Sequence, residues 1–310
     1  MAKYLVTGGA GFIGSNIVEE LVGRGETVRV LDNLSTGFEE HLAPFMDSID
    51  FQKGDIRNEE DVRKAVSDMD YVIHQAALRS VAKSVEAPVP NNDVNVWGTL
   101  NMLLISAESK IKRFVYASSS SAYGDCEVFP EREDLAPDPI SPYAVSKLAG
   151  EHYARMFAKT MGLETVSLRY FNVFGPRQNP ESKYSAVIPA FIERLSKDQP
   201  CVIDGTGEQS RDFTYVKNVV DANIAACHAD GVSGMVFNVA CGKSYSVNET
   251  ASAISDLMGK NITPVYGPKR RGDVLKTYAD ITALKERLGV TPEVGFYEGL
   301  ERTVKWFTEK

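Results

Sequence analysis

The sequence predicts an α/β fold in which a doubly wound parallel sheet is followed by a smaller C-terminal α/β domain. Short β-branched runs alternate with helical hydrophobic patterns from residue 3 onward, as in parallel sheets with crossover helices. A glycine-rich turn separates the first such run from the first helical pattern. The 310 residues correspond to about two domains at roughly 150 residues each.

Composition restricts the class of protein and its partners. Hydrophobic residues at 43% and charged residues at 25% are typical of globular chains, which argues against disorder and coiled coil. Lys and Arg number 34 against 42 Asp and Glu, a formal net charge of −8 that offers no basic surface for nucleic acid or anionic lipid. Apolar stretches fall far short of the ~20 residues that span a bilayer. We therefore expect neither nucleic acid nor a membrane as a partner.

The N-terminal segment and the scattered cysteines suggest a compartment. A glycine turn begins at Gly8, too early to leave room for the apolar core of a signal peptide, so we expect a cytoplasmic protein. The four cysteines contain no Cys-x-x-Cys pair, and the four histidines are equally dispersed. The sequence thus predicts neither a disulfide framework nor a metal site.

Six runs are predicted to form the strands of the main sheet, in the order in which the chain presents them. They are residues 4–7, 27–31, 49–53, 71–75, 114–118 and 165–170. Residues 236–239 are predicted to return to this sheet and add a strand. The domains are then interleaved, with residues 1–172 and about 213–240 in the first, and about 173–212 and 241–310 in the second.

The turn after the first strand carries the spacing of a dinucleotide-binding loop. It runs from Gly8 through Gly11 to Gly14, and Phe12 and Ile13 enter the helix that follows. Glycines allow the backbone to approach a pyrophosphate, and the free N–H groups of the helix N-terminus face the phosphates. Because strand, loop and helix follow in order, the sequence predicts a Rossmann-type cofactor site here.

Acidic residues follow the second and third strands. Asp32 lies eighteen residues beyond Gly14, where a carboxylate accepts hydrogen bonds from the adenosine ribose and repels a 2′-phosphate. Asp32 and the adjacent Asn33 therefore favour NAD over NADP, although Asp-Asn is also common turn chemistry. Asp55 and Ile56 are equally compatible with a contact to the adenine ring and with a plain turn.

A tyrosine and a lysine four residues apart suggest acid–base chemistry. Residues 141–147 open a helix predicted to run to about residue 161, and the four-residue spacing places the Tyr143 and Lys147 side chains on one face. The ammonium is expected to lower the phenol pKa from ~10, so that the tyrosine acts as a base near neutral pH.

These motifs together resemble the NAD-dependent epimerase/dehydratase family, the extended form of the short-chain dehydrogenase/reductases. The resemblance covers nearly the whole chain and rests on the glycine loop, Asp32, residues 74–77, the serine run 118–121, the Tyr143–Lys147 pair, residues 168–175 and residues 211–213. It implies bound NAD, with Tyr143 as the base, Lys147 on the nicotinamide ribose and Ser119 on the reacting hydroxyl. It also places Ala76 and Asn95 at cofactor-contact positions.

Within that family the serine run distinguishes reactions. Dehydratases carry an Asp-Glu pair, and decarboxylases a glutamate, where this chain has Ser120 and Ser121. The resemblance therefore implies a UDP-glucose/UDP-galactose 4-epimerase that oxidises sugar C4 transiently with bound NAD and returns the hydride to the opposite face. The alternatives are a UDP-N-acetylglucosamine or UDP-glucuronate 4-epimerase, and, in a different class, a catalytically silent NAD-binding module.

The resemblance also assigns the UDP-sugar contacts. Asn172, Arg211 and Arg270 match the residues that bind the diphosphate and uridine, Ser119 and Ser120 lie at the sugar, and Val187 is either a uracil contact or a core residue. Thr277 matches a position that borders the sugar C2 substituent, where a tyrosine excludes N-acetyl groups; the alternative is that Tyr278 points inward instead. Arg177 and Arg271 are expected on the surface. Family members usually pair as homodimers, here through residues 93–107 and 143–161.

Overall fold

A computed structural model of the chain describes residues 1–180, 186–269 and 274–309. Its strands are β1 (Lys3–Thr7), β2 (Thr27–Asp32), β3 (Ile49–Lys53), β4 (Tyr71–His74), β5 (Arg113–Ser119), β6 (Thr165–Tyr170), β7 (Val173–Phe174), β8 (Val202–Asp204), β9 (Ser210–Arg211), β10 (Thr214–Tyr215), β11 (Met235–Val239), β12 (Tyr245–Ser246) and β13 (Val265–Gly267). Its α-helices are α1 (Phe12–Gly23), α2 (Glu59–Val66), α3 (Val81–Glu86), α4 (Pro88–Asn92), α5 (Thr99–Glu108), α6 (Pro142–Thr160), α7 (Val187–Ser196), α8 (Val216–His228), α9 (Val247–Leu257), α10 (Thr282–Leu288) and α11 (Phe296–Thr308).

The main sheet is parallel and has the predicted Rossmann-type order. Within the described residues it has seven strands, in the spatial order β11-β6-β5-β4-β1-β2-β3. The strand order reverses between β1 and β4, and in such sheets the ligand binds at the carboxyl ends of the strands beside this reversal. The glycine turn that follows β1 lies at that point. The predicted return of residues 236–239 is confirmed, because Phe237 of β11 pairs with Leu168 of β6.

Helices cover both faces of the sheet because successive strand residues point to opposite sides. Tyr4 and Val6 of β1 belong to the core that contains Ile17 of α1 and Val219 of α8. Leu5, between them, belongs to a second core that contains side chains of α2, α5 and α6. This two-sided burial makes the central strands almost continuously apolar, as the sequence showed.

The helix that carries Tyr143 and Lys147 begins where the sequence predicts, at Pro142. Ser141 caps α6, and its hydroxyl accepts a hydrogen bond from the Ala144 amide at 3.1 Å. Pro142 occupies the first turn, where its missing N–H costs no hydrogen bond. The cap and the proline therefore fix where the helix starts, directly beside the end of β5.

The predicted helix 93–107 begins with a π-helical turn instead of an α-helical one. Residues 93–98 form a π-helical segment (Asp93–Gly98), which continues into α5. A Cβ atom at Gly98 would lie 2.6 Å from the Ile56 Cδ1 atom, so a larger residue there would have to displace the Ile56 side chain. Helix α7 begins at Val187, and residues 181–185 lie outside the described ranges.

Apart from β11, the strands that follow β6 form two-stranded pairs. The pairs are β7 with β10, β9 with β12, and β8 with β13. The boundaries of the two interleaved domains stay a prediction. Among the described residues, no helix combines the length and apolar character needed to cross a membrane.

Candidate active site

The glycine loop is shaped by contacts that only glycine permits. Gly8 has φ of +68°, and a Cβ atom there would lie 2.7 Å from the backbone nitrogen of Ala76. A Cβ atom on Gly14 would overlap the carbonyl oxygen of Gly8. The backbone of β1, the start of α1 and the end of β4 therefore meet closely, leaving a groove along the strand ends.

This groove has a volume of about 340 Å³ and collects the predicted cofactor residues. Those that line it are Gly8, Gly11, Phe12, Ile13, Gly14, Asp32, Asn33, Asp55, Ile56, Ala76, Tyr143 and Lys147. The lining combines a glycine-bounded helix N-terminus, an acidic residue at the end of β2 and the Tyr–Lys pair. These are the features that a dinucleotide requires, so the residues fit NAD.

Asp32 lies at the adenosine end of this groove with its carboxylate already oriented. It accepts hydrogen bonds from the amides of Ala10 at 3.0 Å and Leu34 at 2.8 Å. The side chain is 8% exposed, and burial raises the pKa of its carboxyl while the two amides oppose that shift. One amide binds each oxygen, so both oxygens keep capacity to accept from ribose hydroxyls.

Asp55 is held by its neighbours and does not act as an isolated turn residue. Arg57 donates to both of its carboxylate oxygens at 3.0 and 2.8 Å, and the Asn33 side chain donates at 2.8 Å. These hydrogen bonds, above all those from Arg57, hold the pKa of Asp55 well below its usual range. Arg57 also contacts Asp93 at 2.8 Å, which ties this wall of the groove to the segment before α5.

Asn95, predicted as a cofactor contact, is not among the residues that line the groove, and its contact with the cofactor stays a prediction. Its side chain accepts from the Leu78 amide at 2.8 Å and donates to the Leu78 carbonyl and the Ser146 hydroxyl, both at 3.0 Å. Its exposed fraction is 1%. Asn95 thus fixes the Leu78 loop, which does line the groove, to the residue that precedes Lys147.

The three predicted catalytic residues are brought together at the end of β5. The Ser119 hydroxyl lies close enough to the Tyr143 phenol to lower its pKa. Ser121 donates to the Ser119 oxygen from its hydroxyl at 2.9 Å and from its amide at 3.2 Å. The Lys147 ammonium donates to the Ala117 carbonyl at 2.8 Å and lies 6.0 Å from the centre of the Tyr143 ring.

The expected lowering of the tyrosine pKa is not observed for these side chains. Burial raises the pKa of Tyr143, and the hydrogen bond from Ser119 and the charge of Arg79 offset this only in part. Burial also lowers the pKa of Lys147 to about 7, against the opposing effect of Glu151. Helical spacing did bring the pair to one face, but desolvation outweighs the attraction that this spacing provides.

Polar side chains close the floor of the groove beneath the catalytic residues. Gln75 donates to the Tyr170 hydroxyl at 2.8 Å and to Asn223 at 3.1 Å, and both Gln75 and Tyr170 line the groove. The adjacent His74 is fully enclosed between the Thr7 hydroxyl at 2.7 Å and the Thr99 hydroxyl at 3.1 Å. His74 is therefore a buried structural residue.

The predicted substrate residues of the second half of the chain form a separate cluster. The Asn172 side chain donates to the Thr277 hydroxyl at 3.0 Å, and the Asp212 amide donates to the same oxygen at 3.2 Å. Arg211 immediately precedes Asp212, whose carboxylate accepts from the amides of Cys241 at 2.9 Å and Gly242 at 3.0 Å. Asn172, Arg211 and Thr277 therefore lie together. Asn172 is two residues beyond Tyr170, which lines the groove.

The other predicted residues of this half have different outcomes. Val187 packs partly buried against the main core at the start of α7, which matches its alternative as a core residue. Arg270 and Arg271 lie outside the described residues. Arg177 is largely covered, contrary to expectation, because its guanidinium pairs with Glu19 at 2.5 Å and is only 12% exposed.

Comparison with known proteins decides the family. A family model described as the NAD-dependent epimerase/dehydratase family matches residues 4–240. The chain belongs to this family. A UDP-glucose 4-epimerase of Mycolicibacterium smegmatis is 36% identical, with 99% of each chain covered.

Solved structures of the same epimerase/dehydratase fold agree closely with this chain. A UDP-N-acetylglucosamine 4-epimerase from Methanobrevibacter ruminantium, in complex with UDP-N-acetylmuramic acid, has a TM-score of 0.95 at 41% identity and covers 99% of this chain and 98% of its own. A UDP-glucose 4-epimerase from Thermotoga maritima with UDP-glucose has a TM-score of 0.94 at 40% identity, with 99% of each chain covered. NAD is the cofactor of the family to which the chain belongs.

Sequence reasoning missed several residues of this epimerase/dehydratase site. Arg79, Gln75 and Tyr170 line the groove, as do Ser35, Thr36 and Gly37 after the second strand. A usable signal was present, because Tyr170 ends β6, Gln75 follows β4 directly, and Arg79, Ser35, Thr36 and Gly37 come shortly after the end of β4 or β2. In parallel sheets, these positions line the ligand crevice.

Proposed function

We propose that the protein is a UDP-glucose/UDP-galactose 4-epimerase that also accepts the N-acetylated forms of these sugar nucleotides. The observation that carries the proposal is the Ser119–Tyr143–Lys147 arrangement at the end of a groove that fits NAD. Ser120 and Ser121 follow it directly, without the carboxylates that would supply an acid–base pair for eliminating water or carbon dioxide. This favours a reaction that oxidises and reduces a single carbon.

The side chains divide the work at the sugar C4 hydroxyl. Tyr143 removes the hydroxyl proton, while the Ser119 hydroxyl, already oriented by Ser121, holds the same oxygen. Lys147 is anchored on the Ala117 carbonyl and lies 6.0 Å from the centre of the Tyr143 ring, so its charged form favours the phenolate. When bound, NAD would supply the chemistry that side chains lack, as the acceptor and donor of the C4 hydride.

The breadth of the substrate range rests on Thr277. Its hydroxyl is turned toward Asn172, which places a small side chain beside the cluster that matches the diphosphate-binding residues. A threonine leaves more room than a tyrosine, and a specificity filter based on steric clash works by excluding the larger ligand. The solved relatives include an epimerase of UDP-N-acetylglucosamine and one of UDP-glucose, so both kinds of sugar are compatible with this fold.

The test measures turnover of UDP-glucose, UDP-galactose, their N-acetylated forms and UDP-glucuronate by the purified protein, with and without added NAD. Turnover of the plain hexoses and the acetylated sugars is expected. Preferred turnover of UDP-glucuronate, or no turnover of any of these substrates, would contradict the proposal.

Thr277→Tyr tests the substrate range separately. We expect this change to suppress the acetylated substrates by at least about tenfold while sparing the plain hexoses, because the larger ring fills the space beside C2. Thr277→Val is the matched control, since it keeps the volume. An unchanged ratio of the two kcat/KM values in Thr277→Tyr would remove Thr277 from the specificity argument and leave the epimerase assignment intact.

A further inference from the structure

The segment that carries Thr277 is held in place from two sides by buried groups. We refer to residues 277–280 as the wall segment. Its four consecutive amides donate to the Ser210 carbonyl at 3.1 Å, a Glu131 carboxylate oxygen at 3.1 Å, an Asp212 carboxylate oxygen at 3.3 Å and the Glu131 carbonyl at 2.9 Å. Two acidic side chains from distant parts of the chain thus take part in fixing four residues.

Glu131 contributes the carboxylate that contacts the amide of Tyr278. The side chain is 2% exposed and belongs to the loop between β5 and α6. Charged groups around it are Asp212, Arg211 and Arg169, and burial together with Asp212 raises its pKa to about 7. A buried carboxylate in this setting persists where it satisfies a donor that water no longer reaches, and the Tyr278 amide is that donor.

The hydrogen bond at the Tyr278 amide is one of the contacts that hold the register of the wall segment. Thr277 binds Asn172 and the Asp212 amide through its hydroxyl, while the next amide is tied to Glu131 on the opposite side. Adjacent residues of an extended segment point to opposite sides, so a slip by one residue would turn the Tyr278 ring to the side where Thr277 now lies. Releasing the Tyr278 amide removes one of the bonds that oppose this slip.

We infer that Glu131 is a positioning residue for substrate specificity: its contact with the Tyr278 amide keeps Thr277 against Asn172 and keeps the Tyr278 ring out of the space beside the sugar C2 substituent. This inference rests on the proposed function, because it assumes that the wall segment borders the sugar. It adds a residue 146 positions before Thr277 that never touches the substrate.

Substituting the Glu131 side chain leaves the backbone contacts of this region in place. The Glu131 amide donates to the Tyr278 carbonyl at 2.7 Å, and the Glu131 carbonyl accepts from Asp280 and from the Asn238 side chain. Methionine has a similar length and no acceptor oxygen, so Glu131→Met removes the contact to the Tyr278 amide together with the carboxyl group that interacts with Asp212, Arg211 and Arg169. Glu131→Gln restores an acceptor oxygen without the charge and serves as the conservative variant.

A nearby glutamate provides the matched control. Glu133 lies two residues along the same loop, and its carboxylate accepts from the Asn238 amide of β11 at 2.8 Å. Burial raises the pKa of Glu133 as it does that of Glu131. Glu133→Met therefore makes the same chemical change on the same loop without touching the wall segment.

The experiment measures dissociation constants of UDP-N-acetylglucosamine and UDP-glucose by titration calorimetry on the NAD-loaded protein. In Glu131→Met we expect the ratio of these constants to rise at least about tenfold, because an inward Tyr278 ring excludes the acetyl group. Glu131→Gln should return the ratio to within about twofold of wild type, and Glu133→Met should leave it unchanged.

Three results would overturn the inference. The first is an unchanged ratio in Glu131→Met; if that variant does not fold, Glu131→Asp, which is too short to reach the amide, decides in its place. The second is an equal change in Glu133→Met, and the third is weakened binding of both ligands to the same extent. Failure of the proposed function is recognised separately, because it appears as absent turnover in wild type, whereas the dissociation constants require no turnover.

Discussion

At the scale of single residues, desolvation dominates the electrostatics of the site. Tyr143 and Lys147 are near each other, yet burial raises the pKa of the phenol and lowers that of the ammonium, so each neutral form is favoured. Ser119 and Arg79 act in the direction that catalysis needs, because both lower the pKa of Tyr143. The base function thus depends on several neighbours of the phenol, beyond the lysine one turn along the helix.

Tyr143→Phe tests that function directly. The change removes the proton acceptor but keeps the ring, so we expect epimerase turnover to fall at least ~10²-fold while the fold and NAD binding are retained. Turnover is measured with UDP-glucose, and NAD binding is measured by quenching of intrinsic fluorescence. Tyr153→Phe, farther along the same helix, is the control and should be close to wild type. Near-normal turnover in Tyr143→Phe would rule out the proposed mechanism.

His74 gives the folded chain a defined response to pH. It is enclosed between two threonine hydroxyls, and burial lowers its pKa from 6.5 to about 3. Below pH 6.5 the unfolded chain therefore binds a proton that the folded chain does not, so stability falls as the pH drops from about 6.5 toward 3.

His74→Gln should reduce this pH dependence, by at most about 1.4 kcal/mol per pH unit over that window. The free energy of unfolding is measured by urea denaturation at several pH values between 7.5 and 4.5. The exposed His152→Gln is the control and should have the pH dependence of wild type. Parallel curves for wild type and His74→Gln would show that the burial of His74 does not contribute to acid sensitivity.

At the scale of secondary-structure elements, a buried ion pair fastens the catalytic helix to the sheet. Glu151 of α6 accepts two hydrogen bonds from Arg169 of β6, at 2.9 and 2.8 Å, and their side chains are 4% and 3% exposed. The Ser118 hydroxyl of β5 donates to the same carboxylate at 2.5 Å. Because Tyr143, Lys147 and Glu151 are spaced four residues apart, this pair sets the orientation of the helix face that carries the chemistry.

Glu151→Gln should therefore be strongly destabilising. It removes the carboxylate that pairs directly with the buried Arg169 guanidinium, a loss that typically costs about 3–5 kcal/mol. The free energy of unfolding is measured by urea denaturation at pH 7.5. Glu298→Gln, in an i,i+4 pair whose partners are each 51% exposed, is the control and should change stability by less than about 1 kcal/mol. Equal effects in the two variants would mean that burial adds nothing to the Glu151–Arg169 pair.

At the scale of the whole molecule, exposed apolar side chains mark the face predicted for self-association. Val89 is 75% exposed, Trp97 46%, Val145 52% and Met156 38%. They belong to α4, the π-helical segment and α6, which include the two helical stretches through which the sequence predicts a homodimer. Apolar side chains at this density on neighbouring helices are typical of a surface that packs against another protein.

We expect the purified protein to have twice the 34.1 kDa chain mass in solution. Trp97→Glu should convert it to the single-chain mass, because a buried unpaired charge opposes association. Light scattering coupled to gel filtration measures both masses. Tyr297→Glu, at a residue 57% exposed on α11, is the control and should remain a dimer. A single-chain mass for wild type would refute the prediction.

The sequence by itself determined the parallel sheet, the glycine loop, Asp32 and the pairing of Tyr143 with Lys147 on one helix face. These features depend on local rules: hydrophobic period, turn chemistry and helical spacing act over a few residues, and the chain satisfies them wherever it folds. The strand boundaries consequently agreed with the structure to within a residue or two, and all predicted cofactor residues except Asn95 line the groove.

Only the tertiary structure decided the supporting role of Asn95, the pKa values of the catalytic pair and the part played by Glu131. Asn95 meets Leu78 across 17 residues, and Glu131 meets the Tyr278 amide across 147 residues. No local pattern reports such contacts, because burial and its electrostatic cost depend on which distant segments pack around a group. For this chain, sequence therefore indicated the chemistry, and long-range packing determined how its groups are charged and held.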